Sequence, residues 1–151
     1  MSAYQLPVWV WPTALMVACG LAVWRGRDEE RLAAAGLLAN WALTLVVFRS
    51  RSQETQWAIL ALDSALLALY MWIALRTRRF WPLPVAGFQL LCVVTHVAHA
   101  VDPRVSGWAY LTAGIVWSYL ILFTISYGAW TAPRYAETDD EPNAAFGAMR
   151  R

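Results

Sequence analysis

The sequence contains no lysine, and all twelve of its basic residues are arginines. Without a lysine amine, the protein cannot form a Schiff base with retinal or pyridoxal phosphate, and no lysine can act as a nucleophile. No glycine-rich phosphate loop and no CxxC pair is present either. The two cysteines, Cys19 and Cys92, lie near the middle of apolar segments, so we expect buried free thiols and no disulfide.

Charged residues are also scarce. They make up 15% of the chain, whereas 60% of the residues are hydrophobic and the mean hydropathy is +0.43. This balance lies far outside that of a soluble domain and predicts an integral membrane protein. Ten tryptophans support the prediction, because an indole ring prefers the boundary between lipid headgroups and hydrocarbon.

Five apolar segments are each long enough to cross a hydrocarbon core of about 30 Å, which takes about 20 helical residues. The predicted spans are residues 8–24, 32–48, 57–75, 81–101 and 107–130. We therefore expect one all-α membrane domain over residues 1–131, a bundle of five transmembrane helices. Residues 132–151 form a polar tail that we predict to be cytoplasmic and disordered.

The distribution of arginines predicts the orientation, because basic residues stay on the cytoplasmic side. With the N-terminus outside, nine arginines are cytoplasmic and three are external. The three external ones are Arg49, Arg51 and Arg104. The C-terminus is then cytoplasmic. Arginines at the inner ends are expected to contact lipid headgroups, with no nucleic-acid partner.

Polar side chains on four of the segments have similar predicted depths. On a helix of 100° per residue, the fourth segment carries a polar stripe within an arc of about 80°, which should face the bundle interior. The stripe consists of Gln89, Cys92, His96 and His99. Asp63 is the only acid inside a predicted span and lies at nearly the depth of His96. The predicted intramembrane layer comprises Asn40, Asp63, Ser64, Gln89, His96, His99 and Thr112.

An isolated ionised aspartate at this depth costs about 2.5–3.5 kcal/mol on insertion scales. Pairing with a protonated His96 or protonation of the carboxyl group would relieve that cost, so we hypothesise a contact between Asp63 and His96. The layer is then explained either as a satisfied structural network or as a site for proton or quinone chemistry.

A metal or haem site is a further alternative. His96 and His99, together with Asp63 or Asp102, could supply three metal ligands. At most one of the histidines could bind a haem, because one helix cannot place both on opposite faces of it, and there is no third histidine for a bis-histidine site. Two histidines are also far too few for a membrane di-iron oxygenase. Neither a metal nor a cofactor is predicted as the leading interpretation.

The small size of the chain favours a non-enzymatic role. Five helices with short connections enclose little volume and leave apolar surface for lipid or for other helices. The leading expectation is an accessory or scaffolding subunit that packs against a larger membrane complex or against itself. The site built on Asp63, His96 and His99 is the alternative, and a small oligomeric transporter or channel is the third possibility.

One block of sequence resembles a set of small bacterial polytopic inner-membrane proteins of no known activity. It runs Arg79-Phe80-Trp81-Pro82-Leu83, then Phe88-Gln89-Leu90-Leu91, then Thr95-His96. The block follows a span that bears an aspartate and the run Ala74-Leu75-Arg76. The resemblance implies a bacterial origin and an inner-membrane location. It implies no mechanism, cofactor or partner.

Overall fold

A computed structural model describes residues 9–47, 57–102, 104 and 107–132. This part of the chain forms five α-helices and contains no strand. The helices are α1 (Val10–Arg25), α2 (Asp28–Val47), α3 (Trp57–Arg76), α4 (Pro82–Val101) and α5 (Gly107–Trp130). All five helices predicted from hydropathy are therefore present. The predicted tail lies outside the described residues from position 133 onward.

Four of the helices are long and apolar enough to cross a membrane: α2, α3, α4 and α5. Helix α1 has 16 residues and a length of about 24 Å at 1.5 Å per residue. The protein thus has the architecture of a multi-pass integral membrane protein. Most of its large apolar side chains outside the helix contacts are exposed, as lipid-facing side chains are expected to be.

The helices form a closed ring. Each helix contacts the one that precedes and the one that follows it, α5 contacts α1, and α2 also contacts α5. At one end of the ring, which we call the Glu30 end, α1, α3 and α5 finish and α2 and α4 begin. At the other, the Asp63 end, α3 and α5 begin and α2 and α4 finish. The buried core between the ends is made of small and branched apolar side chains, among them Leu15, Ala33 and Ile121.

A glycine and a proline allow the helices at the Glu30 end to be joined by short connections. Gly26 separates α1 from α2, and a Cβ atom there would lie 2.4 Å from the carbonyl oxygen of Ala22 and 2.8 Å from the Cβ of Glu30. Only glycine fits this close approach. Helix α4 begins at Pro82, where the missing backbone N–H has no helical partner to lose.

The start of α2 differs from the prediction. The helix begins at Asp28, four residues before the predicted span, and its first turn contains Asp28, Glu29 and Glu30. Three acids at a helix N-terminus interact favourably with the helix dipole. The helix therefore extends beyond its apolar part.

The first turn of α2 also carries a buried ion pair that the sequence analysis missed. The Glu30 side chain is fully buried, and its carboxylate accepts hydrogen bonds from the Arg79 guanidinium and, at 2.8 Å, from the backbone N–H of Arg27. Arg79 also donates to the carbonyl oxygen of Gly128 at 2.8 Å. One arginine thus joins the start of α2 to the end of α5.

Trp81 precedes the first residue of α4 and is buried in the bundle, whereas a tryptophan at the end of a span is typically exposed to the headgroup region. It is 4% exposed and packs on Gly128, where a Cβ atom would lie 2.7 Å from the indole ring. The close approach of α4 and α5 at this point requires the missing side chain. The other tryptophans at helix ends, such as Trp24 and Trp108, are exposed as expected.

Candidate functional site

Polar side chains from α2, α3, α4 and α5 meet near the Asp63 end. Asp63 is six residues from the start of α3, a depth of about 9 Å, and His96 is five residues from the end of α4, a depth of about 7.5 Å. The two residues therefore lie at nearly the same level of the bundle. The contact that we hypothesised between them is present, with 2.9 Å between Asp63 Oδ2 and His96 Nε2.

The contact belongs to a longer chain of hydrogen bonds, which we call the Asp63 chain: Asn40, Asp63, His96 and Tyr110. Asn40 Nδ2 donates to Asp63 Oδ1 at 3.0 Å. On the far side of the imidazole ring, His96 Nδ1 lies 2.7 Å from the hydroxyl oxygen of Tyr110. Each member comes from a different helix, so the chain connects α2, α3, α4 and α5 in order.

The Asp63 chain satisfies the polar groups that the membrane would otherwise leave without partners. The side chains of Asp63 and His96 are 14% and 13% exposed. Both carboxylate oxygens of Asp63 accept a hydrogen bond, and both ring nitrogens of His96 have a partner. Hydrogen bonds within membranes contribute up to about 1.7 kcal/mol each. Two of them therefore offset a large part of the insertion cost of about 2.5–3.5 kcal/mol for one carboxylate.

Gln89 lies on the same face of α4 but deeper in the bundle. Its amide nitrogen donates to the backbone carbonyl oxygen of Asp63 at 3.1 Å, and the residue is 2% exposed. This bond joins α4 to the backbone of α3 at the residue that carries the carboxylate. Gln89 therefore supports the position of Asp63.

The Asp63 chain forms one wall of a cavity of about 650 Å³. All five helices line this cavity, and most of the lining is apolar or aromatic. Its aromatic side chains are Trp11, Trp41, Tyr110 and Tyr119. Two lining residues, Leu111 and Ile115, are more than half exposed, so the rim of the cavity reaches the outer surface of α5.

His99 lies beside the Asp63 chain without joining it. Its ring stacks on that of Tyr110, with 4.5 Å between the ring centroids and 18° between the planes. Its Nδ1 atom is buried and has no hydrogen-bond partner among the described residues. His99 thus packs Tyr110 against α4.

Two residues of the predicted layer lie outside this cluster. Ser64 is exposed, and its hydroxyl donates to the carbonyl oxygen of Leu60 within its own helix at 2.7 Å. Thr112 is exposed on the outer face of α5. The structure brings together the other predicted residues: Asn40, Asp63, Gln89 and His96, with His99 adjacent.

Tyr110 is the member of the chain that the sequence analysis missed. It lies three residues from the start of α5, where an aromatic residue is typical of the membrane boundary. Positions 110 and 112 differ by 200° on a helix, so choosing Thr112 as the polar contribution of α5 selected the opposite face. The only indication in the sequence was Tyr110 itself, a tyrosine two positions before Thr112.

Of the residues considered as metal ligands, Asp63 and His96 are in contact, but Asp102 lies apart from them. Asp102 is exposed and accepts a hydrogen bond from the backbone N–H of Arg104 at 2.9 Å. Among residues 9–47, 57–102, 104 and 107–132, no three side chains of His, Cys, Asp or Glu come together as a metal-binding group. The two ring nitrogens of His96 are instead occupied by Asp63 and Tyr110.

Comparison of the chain with protein-family models, with curated proteins and with solved structures finds no match. The functional assignment therefore depends on the geometry of the Asp63 chain and the cavity. Chemically, the Tyr110 hydroxyl at the end of the chain can hold a polar group of a ligand in the cavity.

Proposed function

We propose that this protein is a small inner-membrane protein of bacteria that binds a lipid-soluble molecule in the cavity of its bundle. The polar group of that molecule is held by the Asp63 chain. The observation that carries the proposal is that the chain ends, at the Tyr110 hydroxyl, on the wall of a cavity of about 650 Å³.

The size and lining of the cavity support binding of a small molecule. Ligand pockets typically have volumes of about 300–1,000 Å³ and are mostly apolar, with a few polar groups that orient the ligand. Protein interiors contain few voids larger than a water molecule. A structural network alone would need only the hydrogen bonds of Asp63 and His96, and no space beside them.

The position of the rim supports access from the lipid phase. Leu111 and Ile115 line the cavity and are also exposed on α5. A hydrophobic ligand dissolved in the membrane can therefore reach the cavity without passing through water. This property fits a lipid-soluble ligand better than an ion.

The arginines of the described residues support an orientation with the Glu30 end in the cytoplasm. Six of them flank that end and one flanks the other. Those at the Glu30 end are Arg25, Arg27, Arg31, Arg76, Arg78 and Arg79. By the positive-inside rule, the N-terminus is then external and the Asp63 chain lies in the outer half of the membrane. The small size of the chain led us to expect an accessory subunit, and this stays a prediction. An apolar outer surface is needed for contact with lipid and for contact with partner helices alike.

Two glycines allow a matched test. A Cβ atom at Gly114 or at Gly87 would have no atom within 4 Å, but Gly114 lines the cavity, whereas Gly87 is an exposed residue of α4 outside it. Gly114→Phe therefore places a large ring in or across the cavity. Gly87→Phe makes the same change in a membrane helix while leaving the cavity intact.

The experiment is organic extraction of the three purified proteins, followed by mass spectrometry of the extract. We expect one lipophilic molecule in near-stoichiometric amount from the wild type and from Gly87→Phe, and at least a tenfold lower amount from Gly114→Phe. Thermal unfolding of each variant shows that the bundle is intact. Equal extracts from the wild type and Gly114→Phe would remove the proposal.

A further inference from the structure

The Asp63 chain has two states, which differ by one proton that His96 exchanges with water. With the Asp63 carboxyl group ionised, the carboxylate can only accept hydrogen bonds, and the His96 nitrogen that faces it, Nε2, then carries a proton. The ring nitrogen that changes is therefore Nδ1, which faces Tyr110. In neutral His96, Nδ1 accepts the hydroxyl proton of Tyr110. In protonated His96, Nδ1 donates to the Tyr110 oxygen.

Each arrangement presents a different group to the cavity. When Tyr110 donates to Nδ1, its oxygen still has a lone pair that can accept a hydrogen bond from a ligand. When Nδ1 is protonated, the hydroxyl proton of Tyr110 is released from His96 and can be donated to a ligand. The Tyr110 hydroxyl thus changes from acceptor to donor as His96 gains a proton.

We infer that the ligand of the proposed cavity is a flat conjugated ring that carries an oxygen, of the quinone and quinol type. The Tyr110 hydroxyl contacts that oxygen, donating to a carbonyl when His96 is protonated and accepting from a hydroxyl when His96 is neutral. This inference depends on the proposed function. Trp41 and Tyr119 line the cavity, and aromatic side chains pack favourably against such a ring, either stacked or edge to face.

Few other titratable groups face His96. Helix α4 packs against α3 and α5. Of the described residues, α3 contributes the carboxylate of Asp63 and α5 contributes the hydroxyl of Tyr110. Helix α4 itself contributes His99, which contacts Tyr110 by ring stacking, and the thiol of Cys92, one turn deeper on the same face and also on the cavity wall. Asn40 from α2 is neutral and contacts only the carboxylate. The pH dependence of ligand binding should therefore follow the His96 proton, with His99 as the group to control for.

The test measures how tightly two probes bind the full chain in lipid nanodiscs. The probes are a decyl-substituted benzoquinone and its hydroquinone, which is kept reduced under anaerobic conditions. Histidine side chains titrate within about pH 5–8, so the titrations cover that range. We expect the Kd of the quinone to rise up to tenfold per pH unit towards high pH, and the Kd of the hydroquinone to rise up to tenfold per pH unit towards low pH.

Two variants assign the effect to the proposed group. Tyr110→Phe removes the hydroxyl, so both opposing pH slopes should disappear. His99→Phe keeps a ring stacked on Tyr110 and removes only the second imidazole, so both slopes should remain. If His99→Phe abolishes the slopes instead, the switch is not at His96.

The remaining outcomes separate this inference from the proposed function. Parallel pH profiles for the quinone and the hydroquinone would overturn the donor and acceptor exchange. If neither probe binds while the wild type still yields its lipophilic molecule, the ligand class is wrong and the cavity assignment stands. If the extracts of the wild type and Gly114→Phe are also equal, the proposed function itself fails.

Discussion

Replacement of Glu30 tests whether the buried ion pair holds the Glu30 end together. The carboxylate is fully buried and accepts hydrogen bonds from Arg79 and from the backbone N–H of Arg27. Through Arg79 it is connected to the carbonyl oxygen of Gly128 on α5. Its removal should therefore loosen α2 from α5 and from the connection between α3 and α4.

The structure sets the expected size of the effect. Removal of one partner of a buried ion pair costs about 3–5 kcal/mol. The Arg79 side chain is 22% exposed and keeps its bond to Gly128, so Glu30→Ala should lower the free energy of unfolding by the lower value, about 3 kcal/mol. Glu30→Gln keeps one oxygen that can accept from the backbone N–H of Arg27, but its NH2 group cannot accept from Arg79. The variant therefore loses the charge and one charge-assisted hydrogen bond, which should cost about 2 kcal/mol.

The assay is reversible unfolding in mixed micelles, with the mole fraction of dodecyl sulfate as the variable and helix content as the readout. Asp28→Asn is the matched control in the same helical turn. The Asp28 side chain is fully exposed, and its ion pair with Arg31 has an N–O distance of 3.9 Å. We expect a much smaller loss than for Glu30→Gln, because the ion pair is exposed and the interaction of this charge with the helix dipole is screened by solvent. If Glu30→Gln and Asp28→Asn unfold at the same mole fraction, the reasoning about the buried pair is refuted.

Two further predictions concern single contacts. In a double-mutant cycle of Asp63→Asn and His96→Gln, the coupling in the free energy of unfolding should be about 1.5 kcal/mol, near the upper end for hydrogen bonds within membranes, and simple additivity would contradict a stabilising contact. Gly128→Ala should destabilise the bundle by about 1–3 kcal/mol, because the new Cβ atom would lie 2.7 Å from the Trp81 ring. Gly20→Ala, with open space around the new atom, should show no loss, and thermal unfolding of both glycine variants measures the difference.

Hydropathy predicted the five helices because lipid imposes one simple requirement, an apolar stretch of sufficient length with its backbone hydrogen bonds formed internally. It could not predict the start of α2. Asp28, Glu29 and Glu30 are charged, so a hydropathy window assigns them to a connection, whereas the helix dipole and the distant Arg79 keep them helical. The burial of Trp81 could not be predicted for a similar reason, because it depends on Gly128, which lies 47 residues later in the chain.

The candidate site was partly predictable for a related reason. The spacing of Gln89 and His96 shows which face of α4 looks inward, and Asp63 is costly enough in lipid to require a partner at its own depth. Tyr110 could not be found in this way, because a tyrosine has no comparable cost in lipid and occurs both at the membrane boundary and in the interior of a bundle. The cavity also has no signature in sequence. It results from how five helices are spaced, and that spacing is set by side chains distributed over the entire bundle.

The Asp63 chain also has a consequence for how the protein is made. Its members emerge from the ribosome in the order in which they are connected: Asn40, Asp63, His96 and Tyr110. When α3 leaves the insertion machinery, the carboxyl group already has an amide donor on α2, but its imidazole partner lies 33 residues downstream. Until α4 arrives, an ionised Asp63 would carry most of the insertion cost of about 2.5–3.5 kcal/mol without its imidazole partner. Each newly synthesised helix then supplies the partner that the preceding one lacks.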